Sequence, residues 1–205
     1  MLGLPGKFTF RNYRRENRLG KPSAKNFFIL VEHPHVYTLG KSGNDKNLLA
    51  NEEFLKKIDA TFYRINRGGD ITYHGPGQIV GYPIIDLEYY KLGVRQYIEK
   101  MENAIIELLD TFGISGSHKE GATGVWIEAE NPVRARKICA IGVRVSRYVT
   151  MHGFALNVNT DLRYFNYINP CGMTLGVTSF KKELGREIST DEVKNILKEK
   201  FNKIF

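Results

Sequence analysis

The stretch KICAIGVRVSRYVTMHGFALNV, residues 137–158, predicts two β-strands joined by a tight turn. Residues 138–145 and 148–158 are rich in apolar and β-branched side chains, as strands are. Only a short polar step around Ser146 and Arg147 separates the two runs, which is typical of a hairpin. The sequence therefore predicts an antiparallel pair of strands, to which the other elements are added.

Other segments predict further strands and three helices. Apolar runs at residues 27–31, 61–65, 79–85 and 125–127 indicate strands. A helix is predicted from about residue 94 to residue 112, with Gly113 ending it. Asn51 begins a short helix, and Ser189 with Glu192 forms a capping box that begins another. The pattern predicts one domain, residues 1–205, of α/β (α+β) class with a mixed, mostly antiparallel sheet flanked by helices.

Composition narrows the class of protein. The 205 residues are 42% hydrophobic and 25% charged, and no apolar run approaches the ~20 residues of a membrane span. The first residues are polar and basic rather than apolar like a signal peptide, so we expect a cytoplasmic protein. The net charge of +8 favours acidic partners. A basic nucleic-acid-binding module is a distant alternative.

The two cysteines, Cys139 and Cys171, form neither a disulfide framework nor a zinc-ligand spacing. A free cysteine is either a small buried hydrophobic residue or a nucleophile. Cys171 stands between Pro170 and Gly172, which indicates a turn and favours the second role. Lys137 begins an apolar strand, so its amine either reaches water at the strand end or is buried and suited to proton transfer.

The segment RGGDITYHGPGQ, residues 67–78, is unusually rich in glycine. Its glycines and proline indicate tight turns, which would serve either a surface hairpin or a backbone held close to a bound group. No GKS or GKT follows, and the GxGxxG spacing is absent from the segment, so phosphate binding is not the favoured use.

Five segments together resemble a known family. They are EHPHVYTLG (32–40), RGGDITYHGPGQIVGYPIIDL (67–87), KICAIGVRV (137–145), HGFALNVNTDL (152–162) and INPCGM (168–173). In this order they resemble the lipoyl(octanoyl) transferases, the octanoyltransferases of lipoate biosynthesis. The resemblance implies a fold like the catalytic domain of biotin and lipoate protein ligases. It also implies transfer of an octanoyl group from acyl carrier protein to a protein lysine.

The resemblance assigns roles to particular residues. It implies that Cys171 is the nucleophile that carries the acyl thioester and that Lys137 is its proton-transfer partner. It also implies a substrate-binding set of fourteen residues in three segments. They are Arg67, Gly68, Gly69, Asp70, Ile71, Thr72, Tyr73 and His74; Ala140, Ile141 and Gly142; and Gly153, Phe154 and Ala155.

The same resemblance implies the partners. No cofactor or metal is expected, because the donor carries phosphopantetheine on its own carrier protein. The expected partners are octanoyl-acyl carrier protein, the lipoyl domains of 2-oxoacid dehydrogenases and the glycine cleavage H protein. Nucleic acid and membrane are not expected, and the protein is expected to be a monomer. An ATP-dependent lipoate or biotin ligase on the same fold, which needs no cysteine, is the nearest alternative.

An octanoyl chain needs a narrow apolar slot beside the sulfur. Small residues would leave room for it: Gly75, Gly77, Ala140, Gly142 and Gly153. His74 and His152 are expected to line the slot. For His152, a structural bond to the backbone is an equal alternative.

Overall fold

The computed structural model describes residues 26–169 and 175–205. The strands within these ranges are β1 (Phe27–Val31), β2 (Val36–Leu39), β3 (Thr61–Arg64), β4 (Ile71–His74), β5 (Gln78–Ile84), β6 (Gly116–Ser117), β7 (Val125–Ile127), β8 (Arg136–Ser146), β9 (Val149–Asn157) and β10 (Gly176–Val177). The helices are α1 (Glu52–Lys57), α2 (Val94–Thr111), α3 (Phe180–Leu184) and α4 (Thr190–Ile204). Short 3-10 helices lie at Asp45–Asn47 and Leu162–Tyr167.

The larger sheet is built on the predicted hairpin. Its strand order is β1-β5-β9-β8-β7-β6, and β10 joins β8 in parallel. Strands β8 and β9 pair from Cys139 opposite Leu156 to Ser146 opposite Val149. The turn lies at Arg147 and Tyr148, one residue later than predicted, and both have positive φ, at 50° and 67°. Two left-handed residues form the turn that best matches the twist of a hairpin.

A smaller sheet of order β3-β2-β4 lies beside the larger one. Strand β2 pairs in parallel with β3 and antiparallel with β4. The sequence predicted β3 but neither β2 nor β4. Strand β2 is buried along its whole length and shows no alternation, and β4 alternates over only four residues, which is too short a run to identify a strand. Tyr37, Ile71 and Tyr73 form the centre of this sheet's own apolar cluster.

The main core lies between the larger sheet and the helices α2 and α4. Buried residues of α2 and α4 pack there against Ile79, Phe154 and Leu156 of the sheet; the helical residues are Tyr97, Met101, Ile105, Leu108 and Leu109 of α2 and Val193, Leu197 and Phe201 of α4. Helix α2 ends before Gly113, whose φ is +74°, as predicted. The predicted class, a mixed and mostly antiparallel sheet with flanking helices, is confirmed.

The predicted helix starts are confirmed as well. The Asn51 side chain accepts a hydrogen bond from the Phe54 amide at 2.8 Å, and Ser189 accepts one from the Glu192 amide at 3.3 Å. Among the residues that the structure describes, we find no helix both long enough and apolar enough to cross a bilayer.

Candidate functional site

The face of the larger sheet that points away from α2 and α4 carries a row of small side chains. Ala140 of β8 stands opposite Ala155 of β9, and Ala155 stands opposite Val80 of β5. Gly142 stands opposite Gly153 in the same hairpin. Because side chains alternate along a strand, these five residues share one face, while their neighbours fill the main core. We call this depression the trough, defined by Val80, Ala140, Gly142, Gly153 and Ala155.

The glycine-rich loop lies on top of the trough. The Gly68 amide donates a hydrogen bond to the Val143 carbonyl at 3.0 Å. A Cβ atom on Gly142 would lie only 2.9 Å from the Gly68 carbonyl oxygen and 3.2 Å from Cδ of Arg67. Only glycine at position 142 permits this approach. The structure thus brings the three predicted substrate-binding segments together.

Other residues of the predicted substrate-binding set pack beneath the site, in the apolar clusters of the two sheets or beside the glycine-rich loop. Ile71 and Tyr73 lie in the apolar cluster of the smaller sheet, and Phe154 lies in the main core. Asp70 is buried and braces the neighbouring loop, since its carboxylate accepts hydrogen bonds from the Asn47 side chain and the Ile71 amide, both at 2.6 Å. These side chains therefore shape the site without facing the trough.

Three residues of the predicted substrate-binding set, Gly69, Thr72 and Ile141, shape the surroundings of the trough. Gly69 has φ +85°, and its carbonyl oxygen would lie 2.2 Å from a Cβ atom on Gly40. Thr72 pairs with Thr38 in the smaller sheet, and Ile141 packs against the main core from β8. Gly69 thus gives the loop its left-handed turn, which a larger residue would strain.

Arg67 is a buried cation at the edge of the trough. Its Nη2 donates hydrogen bonds to the carbonyl oxygen of Thr38 at 2.7 Å and to the Thr38 hydroxyl at 3.0 Å. Burial lowers the pKa of Arg67 to about 10, so the guanidinium remains charged at neutral pH. Its Nε is buried and has no hydrogen-bond partner within residues 26–169 and 175–205. That donor is available to a bound acceptor group.

Two histidines beside Arg67 are neutral at physiological pH. Burial, followed by the nearby Arg67 charge, lowers the pKa of His74 to about 3 and that of His152 to about 4, although a bond to Gln78 partly opposes the shift at His74. His152 has φ +61°, and its Nε2 lies 3.3 Å from Oδ1 of Asn66. Both rings lie close enough to Arg67 for its charge to lower their pKa values, so neither is a cation. That they line the slot stays a prediction.

A β-bulge turns Lys137 toward the trough face. Val125 stands opposite Cys139 and Trp126 stands opposite Lys137, so Ile138 has no partner on β7. Ile138 and Cys139 are both fully buried in the main core. Two successive core-facing residues reverse the alternation, which places Lys137 on the opposite side of the sheet. Bulges commonly re-aim a side chain beside an active site in this way.

Trp126 is the side chain on which the Lys137 amine lies. The Lys137 Nζ is 4.6 Å from the centroid of the Trp126 ring, which is a cation–π contact. Trp126 is buried, and its Nε1 donates to the Ala122 carbonyl at 2.9 Å. Sequence reasoning missed Trp126. The signal that could have found it is the register between β7 and β8, which only pairing reveals.

For the acyl transfer that the resemblance implies, we expect Trp126→Leu to slow the step by about 2- to 30-fold, because a cation–π contact contributes ~0.5–2 kcal/mol. Trp126→Phe keeps an aromatic face and should retain most of the rate. Rapid-quench measurement of the first turnover checks both variants. Equal rates for the Leu and Phe variants would contradict a role for the ring.

Two glycines predicted for the slot lie elsewhere. Gly75 and Gly77 form the turn between β4 and β5: a Cβ atom on Gly75 would overlap the Tyr73 hydroxyl, and Gly77 has φ +75° and packs on Asn159. Gly75 and Gly77 therefore do not lie on the trough face, whereas Ala140, Gly142 and Gly153 do. That the trough holds an acyl chain stays a prediction. The β4–β5 turn needs glycine for its own backbone.

The structure describes Cys139 but not Cys171. Cys139 is fully buried, and burial raises the pKa of its thiol, so it is a packing residue. Cys171 lies outside the described residues, and so does the rest of the motif at positions 170–173. On one side of that segment, the Asn169 amide donates to the Asn47 carbonyl at 2.8 Å. On the other side, β10 pairs with β8, with Val177 opposite Lys137.

The described part of the chain holds no cluster of three or more histidine, cysteine, aspartate or glutamate side chains that could bind a metal ion.

The site thus consists of a glycine-rich loop over a trough of small residues with a lysine at its side, and a comparison with known families identifies the class of protein. The family described as "Lipoyl protein ligase A/B catalytic domain" matches residues 8–202, and the chain belongs to this family.

Within the family, the chain is similar to proteins named octanoyltransferase. It is 59% identical over 174 residues to that of Bacteroides thetaiotaomicron, covering 84% of this chain and 76% of the relative. It is 58% identical over 181 residues to that of Parabacteroides distasonis, covering 88% and 82%. The relative from Flavobacterium psychrophilum is 55% identical over 194 residues, covering 94% and 82%. These matches confirm the predicted resemblance and the enzyme class, an acyltransferase of lipoate biosynthesis.

Solved structures confirm the fold. A lipoate-protein ligase A bound with ATP has a TM-score of 0.70 at 17% identity, covering 91% of this chain and 75% of its own. A bipartite lipoate protein ligase from Thermoplasma acidophilum has a TM-score of 0.69 at 18% identity, covering 87% and 71%. At such low identity the likeness shows the shared fold alone.

Proposed function

We propose that this protein transfers an octanoyl group from octanoyl-acyl carrier protein to a lysine ε-amine of a lipoyl domain, through a thioester on Cys171. The observation that carries the proposal is the position of Lys137. The β-bulge directs it to the trough face, and it stands opposite β10, which begins five residues after Cys171 in the sequence. The names of the curated relatives support the same reaction.

The first half-reaction loads the enzyme. The Lys137 amine accepts the Cys171 thiol proton, and the adjacent ammonium then stabilises the thiolate. The thiolate attacks the thioester carbonyl carbon, so that a new C–S bond forms and the bond to the phosphopantetheine sulfur breaks. Lys137 returns its proton to the departing sulfur. Because one thioester replaces another, this step needs no ATP.

The second half-reaction forms the amide. The acceptor lysine enters as a neutral amine and attacks the Cys171 thioester while Lys137 takes a proton from its nitrogen. The C–N bond forms, the C–S bond breaks, and the thiolate is regenerated beside the Lys137 ammonium. An amide is more stable than a thioester, so this step drives the sequence forward. The whole is covalent catalysis of the ping-pong type.

The trough fits the acyl chain by its chemistry. Each methylene that leaves water contributes about 0.8 kcal/mol, so an apolar floor of alanine, valine and glycine favours a fatty chain over a polar group. Arg67 is positioned at the edge, where its Nε can donate to a carbonyl oxygen. The net charge of +8 favours acidic protein partners. In this proposal the lipoyl domains of 2-oxoacid dehydrogenases and the glycine cleavage H protein are the acceptors. The enzyme is a cytoplasmic monomer without a cofactor of its own.

Intact-mass spectrometry tests the proposal. Incubation with octanoyl-acyl carrier protein, without ATP, is expected to add the mass of one octanoyl group to the protein. Hydroxylamine should remove it, since thioesters are labile to this nucleophile. Cys171→Ala should show no adduct, whereas Cys139→Ala, the matched control, should be acylated like the wild type. Adding an unmodified lipoyl domain should then move the octanoyl group to that domain.

The opposite result has a clear form. If octanoyl transfer requires free octanoate and ATP, and if Cys171→Ala retains it, the protein is an ATP-dependent ligase and the proposal is wrong.

A further inference from the structure

A chain of hydrogen bonds begins at Arg67 and continues along the edge of the trough. The Arg67 Nη2 donates to the Thr38 hydroxyl at 3.0 Å, and this hydroxyl lies 3.3 Å from Nε2 of His74. The other ring nitrogen of His74, Nδ1, lies 2.9 Å from Oε1 of Gln78. All four side chains lie between the two sheets, at the place where the glycine-rich loop meets the larger one.

The two ends of this set, the Arg67 guanidinium and the Gln78 Oε1, determine which group donates and which accepts in each bond. A guanidinium group only donates, so the Thr38 oxygen accepts from Arg67 and its own hydrogen is free to point at His74. The Gln78 Nε2 donates to the Tyr73 carbonyl, so the Gln78 atom that faces His74 is Oε1, which accepts from Nδ1. Because His74 is neutral, the single ring proton is on Nδ1, and Nε2 accepts from the Thr38 hydroxyl.

The same direction continues to the other strand. The Gln78 Nε2 donates to Oδ1 of Asn157 at 2.8 Å, and it also donates to the Tyr73 carbonyl at 3.2 Å. The Asn157 Nδ2 donates to the Thr178 carbonyl at 3.0 Å. The Thr178 amide donates to the Lys137 carbonyl at 3.0 Å. Five hydrogen bonds thus follow one another in the same direction, from Arg67 to the Thr178 carbonyl. The Thr178 amide, which belongs to the preceding peptide group, then bonds the strand that carries Lys137.

We call this set of bonds, from Arg67 through Thr38, His74, Gln78 and Asn157 to Thr178, the relay. The position of Asn157 explains why it matters for β10. Strand β9 pairs with β8 only as far as Cys139, and β10 pairs with Lys137 and Arg136 beyond it. Asn157 is the last residue of β9, and Thr178 directly follows β10, so the Asn157 side chain joins the two strands where one replaces the other. Within β10 itself only two residues pair with β8.

Because most residues of the relay are buried, each of their polar groups needs its hydrogen-bond partner. Gln78, Asn157 and Thr178 are 1%, 4% and 0% exposed. A buried amide or carbonyl that loses its partner finds no water in its place, so the strand moves or opens. The Thr178 hydroxyl adds a further anchor, since it donates to Glu183, whose carboxylate binds the Arg136 guanidinium at 2.6 and 2.7 Å.

We propose that Gln78 and Asn157 are positioning residues, which transmit the placement of the Arg67 loop to β10 and so fix the strand after residue 174 against Lys137. The kinetic consequence rests on the proposed function, because it assumes that Cys171 is acylated. The structural consequence does not. A chain of polarised hydrogen bonds of one direction is stiffer than its separate members, which suits it to this role.

The kinetic test uses Asn157→Leu, which removes both bonds at similar side-chain volume. The rate of acylation by octanoyl-acyl carrier protein is expected to fall about 100-fold, with little change in KM, as a displaced catalytic group produces. Asn159→Leu is the matched control, because Asn159 also makes two side-chain bonds, both partly buried, to the backbone of Ile188 at 2.7 and 3.1 Å, outside the relay. It should acylate at the rate of the wild type. Equal losses in the two variants would overturn the proposal.

A second substitution keeps the test decisive if the leucine variant does not fold. Asn157→Asp still accepts from Gln78 but cannot donate to the Thr178 carbonyl. The same loss of acylation rate is expected from this single broken bond, and a wild-type rate would overturn the proposal.

Nuclear magnetic resonance supplies a readout that needs no substrate. In the wild type, ¹⁵N shifts of the His74 ring are expected to show a protonated Nδ1 and a bare Nε2; the reverse tautomer would overturn the direction of the relay. Exchange of the Thr178 amide hydrogen should be about tenfold faster or more in Asn157→Asp than in Asn159→Leu, and equal exchange would overturn the proposal. If the wild type is not acylated, the proposed function fails while these two measurements still judge the relay.

A double variant tests transmission along the relay. The Thr38 side chain bonds to Arg67 and His74, and the Asn157 side chain bonds to Gln78 and Thr178, so the two do not bond to each other. Independent effects of Thr38→Val and Asn157→Asp should therefore multiply. A relay predicts that the double variant acylates about as slowly as the slower single variant. A multiplicative loss would overturn the proposal.

Discussion

Replacing Lys137 with methionine is expected to lower kcat/KM for octanoyl transfer by about 10²- to 10⁴-fold, the range that general acid–base catalysis contributes. Methionine keeps the length of the chain and can pack against Trp126, so folding should be preserved. The loss is expected in the acylation step, because the thiol would lack its proton acceptor. Single-turnover mass spectrometry measures that step directly.

The matched control for Lys137 is the other lysine near the same ring. Lys119 has its Nζ 5.9 Å from the Trp126 centroid, compared with 4.6 Å for Lys137. Its side chain donates to the Ala129 carbonyl rather than facing the trough strands. Lys119→Met should therefore retain wild-type kinetics. Full activity in Lys137→Met would remove the proposed proton-transfer partner.

Gly142→Ala is expected to lower kcat/KM by about 10²-fold, since misplacement of a positioning group by an ångström costs that much. The new Cβ atom would lie 2.9 Å from the Gly68 carbonyl oxygen, and a backbone oxygen cannot rotate away as a side chain does. The loop over the trough must therefore shift together with Arg67. Steady-state kinetics and the melting temperature, measured on the same sample, separate this effect from unfolding.

Gly185→Ala provides the comparison for stability. Gly185 has φ +69° and nothing within 4 Å of a Cβ atom, so alanine there costs about 1–2 kcal/mol of backbone strain without a clash. This variant should melt earlier and keep its kcat/KM. If Gly142→Ala loses only stability, to the same extent as Gly185→Ala, the loop does not depend on the glycine contact for activity.

Local patterns were sufficient for the elements whose signals are contiguous. The hairpin, α2 and the Ser189 cap were predicted correctly because the periodicity, turn and capping residues of each lie within a few positions of one another. The smaller sheet was not predicted in full. Its strands β2 and β4 have four residues each, and β2 is buried on both sides, so neither has a pattern to distinguish it from a loop.

The site was predicted as three segments, and their meeting was not. Residues 67–74, 140–142 and 153–155 were assigned from the family resemblance, but the contact of Gly68 with β8 depends on how a distant loop lies on the sheet. The relay residues Gln78 and Asn157 were missed as a pair because 79 positions separate them. Their link exists only through the pairing of β5 with β9.

The sequence alone determined which chemical groups this protein has and where along the chain they stand: a lysine at the start of an apolar strand, a cysteine between Pro170 and Gly172, and glycines around Arg67. The tertiary structure decided which way they face. Simple alternation along β8 would turn Lys137 to the same side as Cys139, into the core. The unpaired Ile138 reverses that order, and it does so because the register of β7 on β8 shifts there by one residue. Register is set by the packing of two strands against a common core, which no single segment encodes.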